Sequence, residues 1–223
     1  MEDSSATFTL MELFCMGGII MWPLLFFSIA TVAITIERTI YLLYHDRKID
    51  DLKEKVADAI RSGNLGETIE FLEGHTRRRV GARVLLALVN RHRSFGSRLS
   101  GHRLEKAVEA AAAGSISSLE SGLNLLTTLA SISPLTGFLG TVTGMIAAFR
   151  SIAEAADVNA QIVAGGIYEA LITTVFGLVI AIVAMAAHSI FTNMVDKYAS
   201  DLEIACSDLI IDICGISDSD NAI

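Results

Sequence analysis

The sequence is poor in the residues that metal centres, disulfide scaffolds and most active sites are built from. Cysteine occurs at Cys15, Cys206 and Cys214 only, with no metal-ligand spacing among them. They read as ordinary small apolar residues. No phosphate-cradling glycine loop, nucleophile motif or metal cluster is present, so an enzyme is the least supported class and no cofactor is expected. The first twelve residues lack a basic residue and carry Glu2, Asp3 and Glu12. They do not form the basic leader of a cleavable signal, and the apolar run that follows is expected to be retained. The net charge of -8 comes largely from the acidic tail and says little about partners, and no nucleic-acid partner is expected. Charge is also missing from whole stretches of the chain.

Those stretches define the protein. Residues 13–36 and 123–149 are uncharged, and residues 162–191 carry Glu169 alone, with His188 near the end. About 20 apolar residues span a bilayer's hydrocarbon core, so three transmembrane helices are expected. Of the 17 Lys and Arg residues, 14 fall between Asp46 and Gly122, whereas the connection between the second and third spans has Arg150 as its base. Positive residues stay on the cytoplasmic side. The expected order is a periplasmic N-terminus (1–12), span one (13–36), a cytoplasmic helical region (37–122) and span two (123–149). A periplasmic hairpin (150–161), span three (162–191) and a cytoplasmic helix and tail (192–223) complete it. The fold class is all-α and polytopic, with two long helices extended into a cytoplasmic stalk.

In the cytoplasmic region, "DDLKEKVADAIRSG" places Leu52, Val56 and Ile60 on one face, with Gly63 as a stop. "LGETIEFLEG" gives a second short helix. "RRRVGARVLLALVNRH" gives a third, with Val80, Val84, Leu85 and Leu88 together. The tripled arginine Arg77-Arg78-Arg79 suits either a topology-setting solvated face or contact with anionic lipid. From Arg103 the Ala-rich sequence predicts one continuous helix as far as Phe149, because Gly114 and Gly122 weaken it only modestly. Beyond span three, Phe191, Val195, Tyr198, Leu202, Ala205 and Leu209 alternate spacings of four and three, a heptad seam. Pro134 is expected to kink span two, and Pro23 span one.

Small residues recur at helical spacing in both later spans. Span two has Ser133, Gly137, Gly140, Thr141, Gly144 and Ala148; span three has Gly166, Ala170, Thr173, Gly177, Ala181 and Ala184. Such stripes, including Gly140-x-x-x-Gly144, permit close helix packing. Folding the two spans about Ala155 and Ala156 sets Thr141 against Ala170 and Gly137 against Thr174. Glu169 then lies roughly 10 Å inside its span. Packing accounts for the glycines but not for Glu169, since an acid at that depth is costly. It reads either as interhelical hydrogen-bond glue or as the lining of an ion path with the hydroxyls of Thr141, Thr173 and Thr174. Thr173 shares its helix face, whereas Thr174 is turned about 140° away.

"SPLTGFLGTVTGMIAAF" and "GGIYEALITTVFGLVIAI" resemble the second- and third-span signatures of the ExbB/TolQ/MotA proton-channel family, with ExbB and TolQ the nearer likeness in their three spans. The resemblance covers roughly residues 131–184. It implies a homopentamer in the bilayer around helices of a small single-span ExbD/TolR-like partner, whose Asp takes the proton. It also implies a TonB/TolA-like energy transducer and mechanical work in the cell envelope. Matched by position, Thr141 and Thr174 correspond to the family's pore-lining threonines and Glu169 to its buried glutamate. The sequence departs from the family pattern at Gly165 and Val183, where proline is usual, and a straighter third span is expected.

Overall fold

Within lipid a chain must satisfy its own backbone N–H and C=O groups, which an uncharged run achieves by coiling into a helix. The computed structural model describes residues 14, 17–44, 49–62, 65–76, 79–95, 101–154 and 160–220, and it is helical through nearly all of them. In chain order the helices are α1 (Met21–Tyr44), α2 (Asp50–Ser62), α3 (Leu65–His75) and α4 (Val80–Phe95), then α5 (Gly101–Glu120), α6 (Leu123–Glu154) and α7 (Ala160–Asp220). Three of them, α1, α6 and α7, are long and apolar enough to cross a membrane. The N-terminal residues 1–12, the turn about Ala155 and Ala156, Gly63, Arg77 and Arg78 lie outside the described residues.

The chain divides into two units, Met1–Glu37 with Gly122–Ile190, and Arg38–Ser121 with Phe191–Ile223. In the second unit the core is made of large aliphatic side chains. Leu52 and Val56 of α2, Leu72 of α3 and Val84, Leu85 and Leu88 of α4 are each at most 1% exposed. α4 packs on α2, α3 and α5. The distal part of α7 contributes the heptad seam, and Phe191, Val195, Tyr198, Leu202, Ala205 and Leu209 are all buried. Gly81 of α4 lies against this seam, where a Cβ would stand 3.0 Å from the Tyr198 hydroxyl and 3.8 Å from Leu202 Cδ1. An ion pair between Lys53 and Asp208 joins α2 to the same helix.

Two boundaries differ from the sequence-based expectation. The helix from Arg103 does not run unbroken to Phe149: α5 ends at Glu120, and Gly122 adopts φ +88° before α6 begins. A left-handed glycine is the usual helix terminator, because only a residue without Cβ takes that conformation at no cost. In the first apolar run the helix α1 begins at Met21, directly after a turn in which Gly18 has φ +66°. Pro23 therefore falls in the first turn of α1, where its missing N–H breaks no helical bond, and does not kink a span. Pro134 lies inside α6, which continues through it.

Polar side chains in α6 are satisfied locally. Thr128, Ser131, Ser133, Thr136 and Ser151 each donate a hydroxyl to the carbonyl four residues earlier, at 2.6–3.0 Å. Back-bonding of this kind lets a helix carry hydroxyls where no water is available.

Candidate functional site

Within the first unit α7 presents two different faces. Gly166, Ala170, Thr173 and Gly177, spaced four, three and four apart, meet α6. Glu169, Ile172, Phe176 and Ile180 are displaced from these by roughly a quarter-turn and meet the start of α1.

The α6 contact is backbone against backbone. A Cβ on Gly137 would come 2.8 Å from the Thr173 carbonyl oxygen, and one on Gly177 2.6 Å from that of Ser133. On Gly166 it would fall 2.7 Å from Ala148 Cβ, on Gly144 3.1 Å from Ala170 Cβ, and on Gly140 2.3 Å from Thr173 Oγ1. Each glycine occupies a place where a side chain would push the helices apart. The proximity exposes backbone carbonyls to cross-helix donors. Thr174 Oγ1 donates to the Gly137 carbonyl at 3.1 Å. Thr173, 1% exposed, directs its hydroxyl to the Ala170 carbonyl at 2.7 Å and the Gly137 carbonyl at 3.3 Å. Two hydroxyls thus converge on one carbonyl. Cross-helix bonds of this type contribute about 1 kcal/mol each. Gly137 and Thr174 are in contact, in the register that folding the spans about residues 155–156 requires.

Thr141, half-buried, donates to the Phe138 carbonyl of its own helix at 2.7 Å. Its hydroxyl, like those of Thr173 and Thr174, spends its proton on a backbone oxygen and keeps lone pairs able to accept a proton or a water.

Glu169 points elsewhere. A Cβ on Gly18 would stand 1.8 Å from Glu169 Oε1 and 2.9 Å from Cδ, so the half-buried carboxyl rests on the turn that opens α1. One turn further along α7 an apolar seam begins, in which Met21, Leu24, Ile172 and Ile180 are buried together with Phe14, Ile20, Phe27 and Phe176 beside them. Among the described residues no hydrogen bond joins Glu169 to Thr141, Thr173 or Thr174, so the structure groups Thr173 and Thr174 and holds the acid apart on the neighbouring face. Gly18 was not singled out in the sequence. The available signal was a Gly17-Gly18 pair interrupting an apolar run just ahead of Pro23.

An all-helical chain with three membrane-length helices, two of them joined through small residues and with a lone acid within residues 162–191, is a multi-pass membrane protein of the ion-handling kind. Residues 77–204 match the MotA/TolQ/ExbB proton channel family, and the chain belongs to that family. It is 30% identical over 201 residues to the biopolymer transport protein ExbB of Salmonella typhimurium, covering 86% of this chain and 80% of that one. It is 30% identical over 192 residues to the biopolymer transport protein exbB1 of Vibrio cholerae, covering 83% and 80% respectively. To the Tol-Pal system protein TolQ of Haemophilus influenzae it is 42% identical over 86 residues, 39% of this chain and 38% of that one. Members of the family are transport components rather than enzymes, and this chain is one of them.

Proposed function

We propose that the protein is the channel subunit of an inner-membrane motor that couples inward proton flow to mechanical work in the cell envelope. The observation that carries this reading is Glu169, the lone acid of residues 162–191, in a chain of a proton channel family. Placing a carboxyl in an apolar span costs a few kcal/mol. A group that exchanges protons gives a reason for it, and hydrogen-bond glue worth about 1 kcal/mol does not offset it. In this reading Glu169 handles the proton, while Thr141, Thr173 and Thr174 offer hydroxyl oxygens along the path. Gly137, Gly140, Gly144, Gly166 and Gly177 hold α6 and α7 close enough to form it.

The assembly proposed is a pentamer in the bacterial inner membrane, with the N-terminus periplasmic. It surrounds a small single-span ExbD/TolR-like partner that carries the proton-accepting Asp, and it acts on a TonB/TolA-like transducer. Extended similarity to ExbB proteins favours energising TonB-dependent outer-membrane transport. The higher local identity to a TolQ protein supports, as a second reading, a motor for envelope integrity.

Proton uptake into proteoliposomes containing this chain and its single-span partner tests the proposal. An amide cannot titrate, so Glu169→Gln should lower flux about a hundredfold while the oligomer remains intact. Thr174→Val, which removes one oxygen and keeps the shape, should lower it less. Unchanged flux in Glu169→Gln would mean that the chain only scaffolds a partner complex.

A further inference from the structure

We propose that Gly18 is a positioning residue for Glu169: by lacking a side chain in the turn ahead of α1, it provides the seat on which the carboxyl rests. The inference rests on the reading of Glu169 as the proton-handling group and adds what fixes that group in space.

Three observations converge on this turn. Gly18 has φ +66°, a conformation that side chains rarely adopt, so the turn itself selects glycine. Independently of φ, the space a Cβ would take is already filled by the Glu169 carboxyl, with Oε1 only 1.8 Å from that point. The turn is also fixed to α7 beside the acid: a Cβ on Gly17 would lie 2.4 Å from Met21 Cγ and 3.5 Å from Ile172 Cγ2, and Met21 and Ile172 belong to the same buried apolar seam. Gly165, on α7 just ahead of the acid, has nothing within 4 Å of its Cβ position. Gly165 is thus open, whereas the Gly18 position is filled by the Glu169 carboxyl itself. The acid takes its position from α1, whereas the threonine hydroxyls take theirs from α6. A displacement of α1 against α7 would move the proton-handling group and leave Thr173 and Thr174 in place.

The test uses the full chain assembled with its single-span partner. In Gly18→Ala the new methyl meets the far end of a flexible side chain, so the helices can stay where they are while the carboxyl is displaced. Proton flux should fall about tenfold or more, as small misplacements of reacting groups cost that much. The infrared carboxyl band that Glu169→Gln removes should shift. Glu169→Asp, which withdraws the carboxyl by one methylene, should restore much of the flux when combined with Gly18→Ala. Gly122→Ala places the same methyl on another left-handed glycine and serves as the strain control, with flux and band unchanged. Additive losses without rescue, or an unmoved carboxyl band in Gly18→Ala, would overturn the proposal and leave Gly18 as a turn residue only. If Gly18→Ala alone does not assemble, recovery of assembly by Glu169→Asp supports the seat, and its absence overturns it. Should Glu169→Gln conduct normally while Gly18→Ala still moves the band, the functional reading falls and the seat stands.

Discussion

A single helix, α7, is packed by two opposite rules. Along its membrane stretch the contact with α6 is built from Gly166, Ala170, Thr173 and Gly177, residues chosen for how little they contain. Along its distal stretch the buried positions are Val195, Tyr198, Leu202 and Leu209. Lipid tails are as apolar as leucine, so burying a large side chain between membrane helices gains little. Close backbone approach and cross-helix hydrogen bonds remain as sources of affinity. In water each large apolar side chain removed from solvent contributes about 1.5–3 kcal/mol, and the heptad seam exploits that term. The same chain therefore switches composition where its solvent is expected to change.

Substitutions can break or sharpen this contrast. The largest loss is expected from Leu202→Ala, in the seam, where the residue is fully buried. It should destabilise the protein by about 2–5 kcal/mol in thermal unfolding, since the cavity adds to the lost transfer energy. In the membrane stretch the sign of the size change reverses. Gly177→Ala, whose methyl meets the Ser133 carbonyl oxygen at 2.6 Å, should cost about 1–3 kcal/mol through overpacking. Gly165→Ala, with open space around it, should cost nothing measurable, and comparable losses at both positions would refute the packing account. The smallest effect concerns pH. Burial lowers the pKa of His92, at the end of α4, below its ordinary 6.5. The unfolded chain then binds the proton more readily, so this contribution is complete above pH 6.5 and is lost as pH falls toward the folded value. His92→Gln should flatten that slope in melting curves taken across the acidic range.

Much of this architecture was readable from residues alone. Absence of charge over 13–36 and 123–149, and of all charge but Glu169 over 162–191, sufficed to indicate three membrane-length helices, although α1 starts at Met21. Periodicity alone identified the buried face of α2, of α4 and of the distal part of α7. Folding arithmetic paired Gly137 with Thr174, because two antiparallel helices joined by a short connection have only one free parameter, the position of the turn. The break at Gly122 was harder to anticipate. Gly114 lies inside α5 and Gly122 ends it, and propensity scales treat the two alike. What separates them is the conformation each adopts, which depends on where the following helix must go.

The sequence by itself determined the class of the protein, its membrane stretches and the isolation of Glu169 among apolar neighbours, because these follow from local chemistry and helical period. Only the tertiary structure decided where that carboxyl points. Gly18 and Glu169 are 151 residues apart (169 minus 18) in the chain, and no local pattern encodes a contact of that range. It arises because the turn before α1 packs on a face of α7 that does not meet α6.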